Sequence, residues 1–83
     1  MYYVYILKSQ TKDWLYIDYS ENLKRRFTEH QKGLSLATKP YRPFNLVFYE
    51  AYKAMSDAKR RERYFKTQKG KRTLMLMLKA SLT

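Results

Sequence analysis

Two segments near the start of the chain are dominated by aromatic and β-branched residues, which favour strands over helices. They cover Tyr2–Lys8 and Trp14–Tyr19 and are joined by the polar stretch Ser9–Asp13. Two strand-like runs separated by a short polar stretch predict a β-hairpin. The residues leave its register open, but pairing of Tyr5 with Tyr16 would place both side chains on one face.

The hydrophobic period changes at Ser20, from where apolar residues recur at helical spacing. Ser20 can cap the start of this helix, and Glu21 would then lie in the first turn, where negative charge suits the helix dipole. Gly33 follows Lys32 and is a typical residue at a helix end, because glycine readily adopts the left-handed conformation. These signals predict a first helix between Ser20 and Gly33.

The second half of the chain continues the alternation of strands and helices. Leu34–Pro43 contains both prolines and several basic residues, and proline is excluded from helix interiors and central strands, so we expect an exposed basic loop. Phe44–Tyr52 predicts a third strand. A second helix is expected over about Ser56–Gln68, with Gly70 as a break. The final segment, Lys71–Leu82, fits a third short helix that covers the sheet.

Length, cysteine content and net charge limit the kinds of protein that this chain can be. The 83 residues suffice for one domain, residues 1–83, and the absence of cysteine excludes disulfides and thiol chemistry. Lysine and arginine total 18 against seven acidic residues, a net charge of +11, which predicts a polyanionic partner, foremost nucleic acid. No stretch matches a signal peptide or membrane span, so we expect a cytoplasmic protein with no membrane partner.

The first helix carries two candidate functional residues on its apolar side. Leu23, Arg26, Phe27 and His30 follow the spacing of one helix face. A guanidinium on that face can hold a phosphate by two hydrogen bonds, and an imidazole can transfer a proton. The alternative is structural: Arg26 lies at the margin of the core with its head in solvent, and His30 is a hydrogen-bonded boundary residue.

The second helix repeats this pattern with an acid. Ala58, Arg61, Glu62 and Phe65 share one face, which places Glu62 among core residues. An inward carboxylate is scarce unless it is paired or binds a metal. The sequence leaves two interpretations open, a ligand for a hard cation such as Mg²⁺ and an ion pair with a neighbouring arginine.

The tyrosines of the hairpin form a third candidate group. Nine tyrosines occur in the chain, and packing alone accounts for most tyrosines in strands. In the register that pairs Tyr5 with Tyr16, Tyr3 lies opposite Asp18, and the four side chains share a face. A phenol, with a usual pKa of about 10, becomes a base when nearby cations stabilise its anion. Phosphate-backbone contacts are expected from exposed basic residues, namely Lys32, Lys39, Arg42, Lys66 and Lys69.

Taken together, these positions resemble a known family, the GIY-YIG nuclease superfamily. The closest likeness is to its small stand-alone bacterial members, which are similar to the N-terminal nuclease domain of the excision-repair endonuclease. The resemblance covers the chain from Tyr2 to about Lys71 and rests on the order of several short motifs, namely Tyr3-Val4-Tyr5, Tyr16-Ile17-Asp18, Asn22-Leu23 with Arg26 and His30, Thr38-Lys39 with Arg42-Pro43, Leu46-Val47 with Tyr49-Glu50, and Arg61-Glu62.

This resemblance implies an α/β domain with a three-stranded, mainly antiparallel sheet flanked by helices, in the order β-β-α-β-α-α. It also implies DNA endonuclease activity, the metal-dependent hydrolysis of a phosphodiester. Since 83 residues leave no room for a separate reading module, we expect specificity to come from a protein partner or from the DNA itself, for example structured or damaged DNA. One divalent ion, Mg²⁺ or Mn²⁺, would be bound by Glu62. The catalytic residues carried over by position are Tyr5, Tyr16, Arg26 and His30.

The second triplet departs from the family pattern, because Asp18 stands where the pattern has glycine. An aspartate there adds bulk and charge, and it can act as an extra metal ligand or repel the scissile phosphate. The second reading predicts a catalytically degenerate module that binds nucleic acid on the same fold. A third reading is a small basic accessory protein of a ribonucleoprotein. The choice between DNA and RNA and the oligomeric state stay open.

Overall fold

Three antiparallel strands form the sheet in the computed structural model, which describes residues 1–83. They are β1 (Tyr2–Ser9), β2 (Leu15–Ser20) and β3 (Phe44–Tyr52), in the spatial order β2-β1-β3. Both pairings are antiparallel. The expected three-stranded sheet is therefore confirmed, with β1 as its central strand.

Three helices cover the two faces of this sheet. They are α1 (Leu23–Gln31), α2 (Met55–Phe65) and α3 (Gln68–Met77), and a short 3-10 turn, Lys39–Tyr41, precedes β3. Helix α1 packs on one face, whereas α2 and α3 pack on the other. The expected order of elements, β-β-α-β-α-α, is confirmed. None of the helices is long and apolar enough to cross a lipid bilayer.

Strand β1 is buried on both faces and divides the core into two clusters. Val4 and Ile6 pack with Phe65 of α2 on one side. Tyr5 and Leu7 point to the other side, where α1 lies. Successive strand residues alternate between faces, so the continuous apolar run of β1 follows from its central position. Tyr5 is thereby fixed inside the cluster that faces α1.

A β-bulge in β3 alters the alternation of that strand. Ile6 pairs with Phe48, but the next residue of β1, Leu7, pairs with Leu46, so Val47 is the extra residue. As a result, Val47 and Phe48 both pack toward the α2 side, while Leu46 and Tyr49 lie on the α1 side.

The hairpin register considered from the sequence is wrong by two residues. Tyr5 pairs with Asp18, not with Tyr16, and Tyr3 pairs with Ser20. The cause is the connection: β1 continues to Ser9, whose amide donates to the carbonyl of Trp14 at 3.0 Å. A shift of two residues leaves each side chain on its original face, so Tyr5, Tyr16 and Asp18 still share one.

The first helix starts later than expected. Asn22, not Ser20, is its cap, and its Oδ1 accepts from the Arg25 amide at 3.0 Å. Ser20 Oγ instead accepts from the Asn22 amide, and Glu21 precedes the first turn. The expected end is correct, because Gly33 has φ +75° and its amide donates to the His30 carbonyl.

The second helix ends earlier than expected, at Phe65 and not near Gln68. Thr67 separates α2 from α3: its Oγ1 donates to the Tyr64 carbonyl and accepts from the Gly70 amide. Gly70 is therefore no break but part of the first turn of α3. A Cβ on Gly70 would lie 1.8 Å from the Tyr64 carbonyl oxygen, so glycine is required for this close approach.

Candidate active site

A buried chain of hydrogen bonds links β1, α1 and the loop that follows α1. The Tyr5 hydroxyl lies 2.9 Å from His30 Nε2. The other ring nitrogen, Nδ1, lies 2.8 Å from Thr38 Oγ1. All three side chains are fully buried. Both nitrogens of the only histidine therefore have partners, as a buried imidazole requires.

The Thr38 hydroxyl, at the end of this chain of hydrogen bonds, decides which atom donates in each of them. The Thr38 hydroxyl donates to the Ser35 carbonyl at 3.4 Å, so its oxygen accepts from His30 Nδ1–H. Nε2 then carries the lone pair and accepts from the Tyr5 hydroxyl. Burial lowers the pKa of His30, and the charge of Arg26 lowers it further. The imidazole is accordingly neutral.

The fold of the loop before β3 places the Thr38 side chain against His30. The turn at Gly33 reverses the chain, and the amides of Thr38 and Lys39 both donate to the Ser35 carbonyl. The expected exposed basic loop is therefore only partly exposed: Lys39 is exposed, whereas Thr38 is buried. Tyr41 is half-buried in the same loop, where its ring stacks on the Trp14 indole at a centroid distance of 3.8 Å.

Tyr16 and Asp18 form a second pair beside Tyr5. The Tyr16 hydroxyl donates to Asp18 Oδ2 at 2.8 Å, and Asp18 Oδ1 accepts from the Tyr19 amide at 2.8 Å. Burial, followed by the hydrogen bond to Asp18, raises the pKa of Tyr16 to about 12. The Tyr16 ring meets the His30 ring edge-on, with centroids 5.1 Å apart. Unlike Tyr5, Tyr16 is only half-buried.

Arg26 borders the two tyrosines. Burial is the main reason that the pKa of Tyr5 is raised, with the charge of Asp18 second. The positive charge of Arg26 acts in the opposite direction on the pKa of Tyr5 and of Tyr16. Its Nη1 donates to Glu29 Oε1 at 2.8 Å, and its side chain is 28% exposed. The guanidinium is thus near both phenols and open to solvent.

The chain is similar in sequence to several known proteins. The family model of the GIY-YIG catalytic domain matches residues 1–75. The chain belongs to the GIY-YIG family. UPF0213 protein SH2523 of Staphylococcus haemolyticus is 39% identical over 67 residues, which is 80% of each chain. A UPF0213 protein of Staphylococcus aureus is 34% identical over 77 residues, 92% of this chain and 93% of that protein.

A solved structure agrees with this membership. The NMR structure of UPF0213 protein BH0048 from Bacillus halodurans is 30% identical and covers 93% of this chain and 85% of its own, with a TM-score of 0.57. The resemblance to small GIY-YIG proteins is therefore confirmed. In the GIY-YIG pattern, Asp18 occupies the glycine position, and here its carboxylate is engaged by the Tyr16 hydroxyl.

Glu62 lies apart from the tyrosine cluster of this GIY-YIG domain. Its helix, α2, packs against the opposite face of the sheet from α1. Its side chain is 13% exposed, and Oε2 accepts from Lys66 Nζ at 2.5 Å. Of the two interpretations left open by the sequence, the ion pair with a neighbouring arginine is wrong in its partner, because the adjacent Arg61 pairs with Glu50 at 2.6 Å. Glu62 is therefore inward, as expected, but bound by a lysine.

The donor set decides which cation the domain can accept. No group of three or more histidine, cysteine, aspartate or glutamate side chains is close enough to form a preformed metal cage. Mg²⁺ commonly uses only one or two protein carboxylates and keeps several waters. A single inward carboxylate such as Glu62 fits that requirement, provided that Lys66 moves away.

The proposed phosphate contacts fall into two groups on the surface. Lys32, Lys39 and Arg42 lie at the end of α1 and in the loop that carries Thr38, on the side of the tyrosine cluster. Lys66 and Lys69 lie at the junction of α2 and α3. All five are exposed, although Lys66 is paired with Glu62.

Sequence reasoning missed two residues of the site. Thr38 is part of one of the family motifs, but the sequence assigns it no role. Nothing in the sequence of a loop shows that a hydroxyl is buried. Glu29 was not considered as a partner of Arg26, although acid and base three residues apart on a helix are neighbours. That spacing was the available signal.

Proposed function

We propose that this GIY-YIG domain is a metal-dependent endonuclease that hydrolyses phosphodiester bonds in DNA. The supporting observation is the cluster on the α1 face: two phenols, each hydrogen-bonded to an acceptor, with the Arg26 guanidinium beside them. The net charge of +11 provides the attraction for a polyanion.

Tyr16 is the phenol that meets the attacking water in this proposal, because Tyr5 is fully buried and Tyr16 is not. The Tyr16 oxygen accepts a proton from the water as its own proton passes to Asp18 Oδ2, its hydrogen-bond partner at 2.8 Å. The hydroxide equivalent then attacks phosphorus, and the leaving oxygen departs on the opposite side. Tyr5 and His30 hold the Tyr16 ring from behind.

Arg26 stabilises the charge that develops during attack. The phosphate oxygens gain negative charge in the transition state, and a fixed guanidinium strengthens its interaction with them at that moment. A guanidinium has five N–H donors, so Nη1 can stay with Glu29 while other donors contact phosphate.

Glu62 is the residue that would hold one divalent ion, Mg²⁺ or Mn²⁺. When bound, such an ion would polarise a phosphate and stabilise the leaving oxygen. Because α2 packs on the opposite face of the sheet from the tyrosines, the substrate has to pass the edge strand β2 to meet both. The proposal requires the Lys66 ammonium to exchange its partner at 2.5 Å for a substrate phosphate, a role that suits an exposed lysine at this position.

A second candidate function is favoured by the same Tyr16–Asp18 contact. A carboxylate at the glycine position brings negative charge to the place where the phosphate approaches Tyr16, and it helps to keep that phenol protonated. In this alternative, the domain binds nucleic acid but does not cleave it, and Asp18 is the reason.

Cleavage assays on nicked, branched and single-stranded DNA with Mg²⁺ or Mn²⁺ test both. For the nuclease, we expect wild-type cleavage and losses of about 100-fold or more in Glu62→Gln and in Asp18→Asn, which removes the proton acceptor. Asp57→Asn is the matched control, since the Asp57 carboxylate is an acid of the same helix as Glu62 that pairs with Arg60, and it should cleave like wild type.

The alternative, a domain that binds DNA without cleaving it, predicts a different result for substitution of Asp18. Wild-type protein would bind DNA without cleaving it, and Asp18→Gly would restore cleavage. Cleavage that persists undiminished in Glu62→Gln would contradict the assignment of Glu62 as the cation ligand.

A further inference from the structure

A groove of about 640 Å³ lies between α1 and the sheet, beside the tyrosine cluster. Its apolar walls are formed by Tyr3, Leu46 and Tyr49 from the sheet and by Leu23 and Phe27 from α1. Tyr49 is 53% exposed and Leu46 is 37% exposed. This groove therefore presents large apolar side chains to solvent where the core ends.

Two tyrosines on the sheet side of this groove contact each other. The rings of Tyr3 and Tyr49 meet edge-to-face, with centroids 6.0 Å apart, a favourable arrangement for aromatic pairs. Tyr3 thus fixes the Tyr49 ring, while more than half of Tyr49 remains open. A fixed, exposed aromatic ring is a suitable surface for stacking a planar group.

The groove is adjacent to the proposed reaction centre. Tyr49 pairs directly with Tyr5 across the sheet, and Tyr5 pairs on its other side with Asp18. Side chains of directly paired residues lie on the same face, with Cβ atoms about 5 Å apart. A planar group stacked on Tyr49 is consequently one strand away from Tyr5 and two strands away from Asp18.

Cationic side chains border the groove along α1. Lys24 lines it and also lines a second groove along α1, together with Thr28 and Lys32. These three residues are spaced by four and therefore lie on one side of the helix. One acid, Glu21, also lines the groove. The chain thus has a row of phosphate-binding groups beside an aromatic surface.

We propose that this groove binds an unpaired nucleobase of the DNA substrate, stacked on Tyr49, while Lys24 and Lys32 contact the flanking phosphates. The inference rests on the proposed function and specifies its substrate class: DNA with single-stranded or splayed nucleotides at the cleavage site. Aromatic stacking combined with a cationic track is how proteins bind single-stranded nucleic acid.

The chemistry of the groove favours a nucleobase over an apolar protein segment. An apolar segment would leave polar groups of the groove without partners, because the tyrosine rings are accompanied by the Lys24 ammonium and the Thr28 hydroxyl in a chain of charge +11. Bases within a duplex are already stacked and must be extruded before they reach such a ring.

Binding of fluorescently labelled oligothymidine and of a duplex of equal length, measured by anisotropy in EDTA, tests the proposal. We expect Tyr49→Ala to weaken single-strand binding about tenfold, as one lost base–aromatic stack predicts, with little change for the duplex. Tyr49→Phe keeps the ring and should bind like wild type. Met75→Ala, at a similarly exposed apolar residue of α3, is the control and should have no effect.

Two results would overturn the proposal: unchanged single-strand affinity in Tyr49→Ala, or equal losses for single strand and duplex. The experiment needs no metal and no cleavage, so it is separable from the proposed activity. Absence of cleavage together with a Tyr49-dependent single-strand preference would refute the nuclease and retain the groove. Cleavage that is unchanged in Tyr49→Ala and equal for single-stranded and duplex DNA would retain the nuclease and refute the groove.

Discussion

Replacement of Thr38 by valine tests whether the Tyr5–His30–Thr38 chain is a structural unit of the site. Valine keeps the branched shape of threonine but has no hydroxyl, so His30 Nδ1–H loses its acceptor at 2.8 Å. His30 and Thr38 are fully buried, and water therefore has no ready access to the orphaned donor. The Ser35 carbonyl also loses the weaker hydrogen bond, at 3.4 Å.

The expected cost follows from the desolvation of an unpaired buried donor. Such a group costs about 1–3 kcal/mol, and the partner carbonyl adds little because it also accepts two backbone amides. In a domain of this size, 1 kcal/mol shifts the melting temperature by about 4–8 °C. We thus expect the free energy of unfolding to fall by about 2 kcal/mol and the melting temperature by about 10 °C.

Thermal and urea unfolding followed by circular dichroism measure this change. Thr28→Val is the control, because Thr28 is exposed and its hydroxyl bonds only the Lys24 carbonyl; its effect should stay within about 0.5 kcal/mol. The chain has one histidine, so NMR of its ring nitrogens reports the tautomer directly. A wild-type proton on Nε2, or a Thr38→Val protein as stable as Thr28→Val, would refute the hydrogen-bond chain as described.

Two further predictions concern stability. Because the pKa of His30 is lowered by burial and by Arg26, the unfolded chain binds a proton that the native state excludes, so stability should fall as pH drops below about 6.5, by at most about 1.4 kcal/mol per pH unit. A stability that rises on such acidification, or an NMR titration of His30 above its usual pKa, would contradict this. Gly70→Ala should lower the free energy of unfolding by about 1–3 kcal/mol, since the Cβ would meet the Tyr64 carbonyl. The control, Lys71→Ala, should unfold at the wild-type urea midpoint. Equal midpoints for the two variants would show that α2 and α3 can separate freely.

The parts of the fold that the sequence predicts correctly are those set by residue type and spacing within a single strand or helix. The aromatic and β-branched composition of β1 and β2 was enough to identify the strands, and the spacing of Leu23, Phe27 and His30 identified the inner face of α1. Side-chain direction follows from these periods. This is why the sequence alone assigns Arg26 and His30 to the sheet-facing side of α1.

The remaining errors arise where long-range or turn contacts decide. The hairpin register depends on how Ser9 and Trp14 close the connection, which composition does not encode. The end of α2 depends on Thr67, whose hydroxyl serves two helices. The partner of Glu62 is an exception, because Lys66 lies four residues later, which is the spacing of a helical ion pair, whereas the adjacent arginines do not face Glu62.

The position of β1 at the centre of the sheet has a consequence for synthesis of the protein. β1 and β2 are made first and can pair at once, but β3 is made only after α1 and the following loop. Until then, one edge of β1 and the apolar face that α2 and α3 cover lack their partners. Since an isolated two-stranded hairpin is marginally stable at best, a nascent chain that ends before Phe44 should remain protease-sensitive on the ribosome. Protection should arise only once β3 and α2 have emerged.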